Sequence, residues 1–170
     1  MSFLDLAKKR YSCRKLSAQP VEEEKLQKIL EAGNLAPIAH NNQPLHIWLL
    51  ESAEAMEKVS QTTSFIFGAP VAFVVGSKAD DAWVRPFDKK NFADVDASIA
   101  ATHMMLAIED LGLGTTWVAH FDAPKLKELF PEMADYELVA IFPVGYPAED
   151  AAPSPRHAER VGVEKLADQL

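Results

Sequence analysis

The sequence predicts an α+β layer architecture, on three observations. Strand candidates are separated by long helix candidates, no regular strand-helix-strand alternation runs through the chain, and no glycine fingerprint follows the first strand. The second and third observations separate it from a parallel dinucleotide-binding sheet.

Phe3 to Tyr11 reads as a short helix whose apolar side is Phe3, Leu4, Leu6 and Ala7 and whose last turn holds Lys8, Lys9 and Arg10. Pro20 precedes a second helix, Val21 to Ala32, with Val21, Leu26, Ile29 and Leu30 at helical spacing. Glu22 to Glu24 sit at its positive end, and Gly33-Asn34 is expected to loosen or end it. Leu45 to Leu50 is β-branched and aromatic enough for a buried strand, Ala53 to Ser60 reads as a helix, and Val71 to Val75 as a second strand after Gly68-Ala69-Pro70. Lys78 to Phe92 is polar, aromatic and without period, a loop or lid. Asp94 to Leu111 is the longest helix candidate and carries so few polar positions that burial on most sides is expected, as for a central or interface helix. Gly112-Leu113-Gly114 ends it. Thr115 to Phe121 then reads as strand or strand-like turn, Pro124 to Phe130 as helix, Leu138 to Val144 as strand, and Pro147 to Pro155 as an extended tail.

At 170 residues, 48% hydrophobic and 25% charged, the chain is expected to fold as one domain over 1–170 with a core of its own. A formal charge of -8 without a long basic run disfavours nucleic-acid and anionic-membrane partners. The lone Cys13 makes no internal disulfide, no secretory layout opens the chain, and no apolar run reaches the ~20 residues of a membrane span, so a cytoplasmic protein is expected. The five histidines show no zinc-ligand spacing, and no metal is expected.

Two segments carry candidate chemistry. Arg10-Tyr11-Ser12-Cys13-Arg14 sets two guanidinium groups and a hydroxyl within five residues, a donor set suited to phosphate, although a solvated basic helix end has the same residues. Ala36-Pro37-Ile38-Ala39-His40-Asn41-Asn42-Gln43-Pro44 is rich in amides that present donor and acceptor together, as the uracil-like edge of a flavin requires. A self-satisfied turn reads equally well.

Taken in order, these two segments, Asp96-Ala97-Ser98-Ile99-Ala100, Leu111-Gly112-Leu113-Gly114-Thr115-Thr116-Trp117, Pro143-Val144-Gly145-Tyr146-Pro147 and a basic C-terminal tail resemble the nitroreductase-like FMN-dependent family over nearly the whole chain. The resemblance implies that fold, a central mostly antiparallel sheet flanked by helices in an intertwined homodimer, with non-covalent FMN. It assigns Arg10 and Ser12 to the phosphate and ribityl chain, backbone contacts to Tyr11, and Arg14 to the N1/O2 side of the ring, where a cation would stabilise the charge of reduction. Asn41 matches the flavin-edge amide, with Gln43 supporting the loop or the ring. Thr116, Trp117, Val118 and Ala119 match the segment near N5 and O4, and His120 is a candidate assistant beside Arg14. Arg160 and Arg156 would complete the phosphate site, while Pro37, Ile38 and Ala39 would face the flavin of the other subunit.

The implied activity is ping-pong transfer from NADH or NADPH through FMN to a small electron-poor acceptor such as a nitroaromatic, quinone or activated alkene. Flavin storage or sensing, flavin breakdown and dehalogenation are the alternatives. Leu45, where many members carry Trp, and Tyr11, where a second Arg is frequent, depart from the pattern, and the chain is short in its middle region.

Overall fold

The computed structural model describes residues 2–170. Its middle is β2 (Val71–Ser77), buried at every position. Alternation along this strand sorts its side chains onto two faces: Val71, Phe73 and Val75 enter one cluster with Leu26, Ile29, Ala97, Met104 and Ile108, and Ala72 and Val74 enter another with Val59, Leu126 and Met133. The helices that supply the first cluster are α2 (Glu23–Asn34) and α4 (Ala93–Asp110); α3 (Ala53–Ser60) and α5 (Ala123–Leu129) supply the second. β1 (Leu45–Leu50) and β4 (Glu137–Gly145) flank β2, and β3 (Gly114–Thr115) extends the sheet beyond β4, in the order β1-β2-β4-β3. Each neighbouring pair is antiparallel. α1 (Phe3–Lys9) precedes these layers and α6 (Val163–Leu166) follows them. Among the described residues no helix is long and apolar enough to cross a membrane.

Several elements differ from the expectation, each for a tertiary reason. α1 stops at Lys9, not Tyr11, because Arg10 turns extended and Ser12 bridges Thr115. α2 runs through Gly33 to Asn34. A Cβ at Gly33 would stand 2.9 Å from Ile47 Cδ1 and 3.1 Å from Met104 Cγ, so this glycine serves close packing between helix and sheet. β1 is an edge strand with a single neighbour, and only Leu50 in it is fully buried. Of the stretch 115–121 only Thr115 belongs to a strand, the last residue of the two-residue β3, and Val118 makes an isolated bridge to Ile141. Within 78–92 a small hairpin closes through a Val84–Asn91 bridge and an Arg85–Asp88 ion pair. α4 buries Ala97, Ala100, Ala101, Met104 and Ile108, whereas Val95, Ser98, Ile99, Thr102 and His103 line an open, mostly apolar hollow on its other side.

A third, smaller cluster of Cys13, Leu16 and Ala69, with Tyr11 against it, joins the N-terminal segment to the sheet. Cys13 is fully buried and its thiol donates to Lys15 O at 3.3 Å, which makes it a packing residue. Burial pushes the Tyr11 phenol up to about 12, with the Cys13 thiol and the Glu109 carboxylate acting in the same direction.

Met104→Ala should lower the unfolding free energy by about 2–5 kcal/mol, the cost of emptying a fully buried methionine site, read from denaturant unfolding. Tyr11 adds a pH dependence: above the ordinary phenol value the unfolded chain loses a proton that the native state keeps until about 12. Wild-type stability should therefore fall from roughly pH 10 to 12 more steeply than that of Tyr11→Phe; parallel profiles would refute the assignment.

Candidate functional site

After Lys9 the chain leaves the helix and is laid along the sheet edge. Cys13 N donates to Thr115 O at 2.8 Å, Leu16 N to Phe67 O at 2.9 Å and Ser17 N to Tyr146 O at 2.8 Å. This approach is close enough to dictate glycine. A Cβ at Gly114 would stand 3.0 Å from Cys13 Sγ, and one at Gly68, which has φ +80°, would stand 2.9 Å from Leu16 O. With its backbone held, the segment turns Arg10, Ser12 and Arg14 to one side.

The C-terminal segment returns to the same place. Ser154 caps a 3₁₀ turn at Pro155–Ala158, His157 packs edge-on to Tyr11 with ring centroids 6.3 Å apart, and His157 Nε2 lies 3.3 Å from Lys8 O. Arg160 Nη1 donates to His157 O at 2.6 Å and to Glu159 O at 2.7 Å. Arg10, Ser12, Arg14, Ser154, Arg156, His157, Glu159 and Arg160 thereby line a cavity of about 520 Å³. Its wall holds four guanidinium groups and one carboxylate, Glu159, which lies 3.5 Å from Arg156. In a chain of net charge -8 this is a concentrated positive site, and its donors suit a phosphate.

A second cavity of about 190 Å³ adjoins it. Arg14 belongs to both, and Phe65, Phe67, Thr116, Trp117, Val118, Ala119 and His120 make up the remainder. Thr116 and Val118 are buried, and Trp117 is fixed edge-on against Phe142 at 5.3 Å. Thr63 Oγ1 donates to His120 O at 2.7 Å, and the His120 ring meets Phe65 edge-on at 5.4 Å. The wall sets the rings of Phe65, Phe67, Trp117 and His120 beside polar groups that include the Arg14 guanidinium, a surface suited to a flat conjugated ring with a polar edge.

The structure therefore assembles Arg10, Ser12, Arg14, Arg156 and Arg160 in one cavity and Arg14 with residues 116–120 in the next, with Tyr11 packed behind the first. Phe65, Phe67, Ser154 and His157 also line these walls and were missed. Gly68-Ala69-Pro70 was legible as a turn, but nothing local marked the two phenylalanines before it as site residues.

Pro37, Ile38, Ala39, Asn41 and Gln43 line neither cavity. Their loop enters β1, whose Leu45 pairs with Ser77 at one end of β2, whereas Thr115 pairs with Val144 at the other end, across the sheet. α4 measures the separation: its Asp96 accepts from Ala39 N at 3.0 Å and its Glu109 meets Lys9 at 3.2 Å, and the helix rises about 20 Å between them. Within the loop His40, Asn41 and Gln43 have φ of 53°, 55° and 56°, and the Gln43 amide donates to Asn41 Oδ1.

The family model for the nitroreductase family matches residues 7–64 and 61–146. A Methanothermobacter thermautotrophicus protein named NADH dehydrogenase/NAD(P)H nitroreductase is 30% identical over 162 residues, covering 88% of this chain and 80% of its own. The crystal structure of a nitroreductase family protein from Clostridium difficile 630 is 37% identical with a TM-score of 0.91, covering 99% of this chain and 98% of that one. An FMN-dependent nitroreductase from Clostridium difficile R20291 is 26% identical with a TM-score of 0.76 over 94% of this chain and 98% of its own. On sequence and fold together, the chain belongs to the nitroreductase family.

Proposed function

We propose that residues 1–170 form one FMN-binding domain, and that the protein is an NAD(P)H-dependent oxidoreductase working as a homodimer on a small electron-poor acceptor. The observation that carries the reading is the pair of cavities joined at Arg14: a four-arginine hollow beside an aromatic slot accommodates a phosphate on a short chain that ends in a flat ring. Proteins of the same family named as FMN-dependent and as NAD(P)H nitroreductase support the cofactor and the donor.

FMN, when bound, supplies the redox chemistry by accepting reducing equivalents from NADH or NADPH and passing them on. The chain supplies binding and electrostatics. Arg10, Ser12, Arg156 and Arg160 would hold the phosphate, with Tyr11 and His157 packed together at that wall, and Arg14, shared by both cavities, would supply a positive charge to the ring. Thr116, Trp117, Val118 and Ala119 form a rigid wall of the slot because Val118 is bonded to Ile141 in both directions at 3.0 Å. His120 stands exposed at its mouth, where a donor could meet the acceptor.

The loop that carries Pro37 to Gln43 supports the homodimer reading: the family resemblance sets it against a flavin, it lines neither cavity of its own chain, and a two-fold partner would bring it to the other subunit's site. Open apolar surface is available for such a partner. Val95, Ile99 and His103 of α4 line one hollow, and His103 also lines a second with Phe3, Leu35 and Leu106, joining the two into a continuous patch.

Purified protein should show flavin absorption that bleaches when NADH or NADPH is added anaerobically; a colourless protein that cannot be reconstituted with FMN would remove the reading. Arg10→Ala and Arg160→Ala should each weaken FMN binding by roughly 10- to 100-fold, the range for losing a charge-assisted hydrogen bond. Arg14→Ala should slow reduction by NAD(P)H more than it weakens FMN. Sedimentation of the holoprotein should give a dimer, and a monomer alone would refute the shared site.

A further inference from the structure

The 39–43 loop holds its amides in an unusual backbone. His40, Asn41 and Gln43 all lie in the left-handed region, where non-glycine residues stay only if surrounding contacts keep them there. The contacts come from two directions. His40 stacks on Trp83 at 5.1 Å with planes 12° apart, and Asn42 Nδ2 donates to Asp81 O at 3.2 Å; both partners belong to the surface excursion that follows β2. The third contact comes from the core: Ala39 N donates to Asp96 Oδ1 at 3.0 Å.

Asp96 lies in the first turn of α4 and is 1% exposed. Its Oδ2 has no hydrogen-bond partner among the described residues, so the side chain's one hydrogen bond to the protein is the bond to the loop. A carboxylate buried this deeply costs stability, and an alanine would fill the same helical position without that cost. The bond that the carboxylate does make fixes the residue at which the loop turns from extended Ile38 into the left-handed run.

We propose that Asp96 is a positioning residue for the amide edge formed by Asn41 and Gln43: its carboxylate anchors the Ala39 backbone and so keeps the loop in the conformation that meets the cofactor. The assignment rests on the reading that this loop borders the FMN of the other subunit. Asp96 itself touches no cofactor; it acts through the main chain of Ala39.

Hydrogen-deuterium exchange on the purified protein tests the anchor, and FMN titration tests its consequence. Asp96→Ala should speed exchange in a peptide covering 37–44 by about tenfold, with α2 and β2 peptides unchanged and global unfolding no weaker than wild type. It should also raise the Kd for FMN by about tenfold. Asp96→Asn, which keeps an acceptor at Oδ1, should restore both to within about twofold. A merely structural role would instead lower global stability and loosen α4 together with the loop.

Wild-type loop exchange in folded Asp96→Ala would overturn the anchor, and a loosened loop with unchanged FMN affinity would overturn the positioning role. If Asp96→Ala does not fold, Ala39→Pro cuts the same bond from the other side, since proline lacks the N–H and suits the first position of a helical turn after an extended residue. Unchanged FMN affinity in Ala39→Pro would overturn the proposal equally. Failure of the wild type to bind FMN at all would refute the proposed function instead, and the exchange data would still judge the anchor.

Discussion

The site depends on how closely the segment from Ser12 to Ser17 approaches the sheet. Backbone bonds to Thr115, Phe67 and Tyr146 lay this segment against three different parts of the chain, and all three contacts are at main-chain distance. Side chains are excluded from the points of approach, which is why Gly114 and Gly68 stand there. With the segment in place, Cys13 and Leu16 fill the small cluster beneath it and Arg10, Ser12 and Arg14 are left on the outer side. The fold thus converts five consecutive residues into alternating packing and ligand-facing positions, by the period of two that an extended chain imposes.

Electrostatics gives that geometry its meaning. The protein carries a net charge of -8, yet four guanidinium groups share one cavity with a single carboxylate. Like charges gathered in this way oppose one another, and arginine cannot escape by losing its proton. An anionic ligand would balance the arrangement, and a phosphate suits both the charge and the paired-donor geometry. The His157 contacts with Tyr11 and Lys8 then do structural work, since they hold the C-terminal turn, and with it Arg156 and Arg160, against the N-terminal arginines.

α4 touches both the amide loop and the arginine segment. Its first turn meets Ala39 through Asp96 and its last turn meets Lys9 through Glu109, so the amide loop and the arginine segment are set about 20 Å apart by a single helix. Its core face packs on β2 and β4, and its opposite face stays open and apolar. The sequence predicts burial of this helix on most sides, but in this chain one side stays open; a sequence cannot say which apolar residues meet the chain's own core and which are left on a surface, because both faces obey the same hydrophobic preference.

By itself the sequence determined helices α1 to α5, though not the short α6, together with the strand candidates and the α+β class, since these follow from local periodicity and from the punctuation of Gly and Pro. It also carried the phosphate-suited donor set of Arg10, Ser12 and Arg14, because residue type alone defines that chemistry. Tertiary structure decided that Arg156, His157 and Arg160 return to the same cavity, that Phe65 and Phe67 line the slot beside Arg14, and that Pro37 to Gln43 line neither. It decided as well that Gly33 packs inside α2 instead of ending it, and that β1 lies at the sheet edge. Each of these depends on contacts between residues far apart in the chain, and local preference carries no information about which distant segments meet.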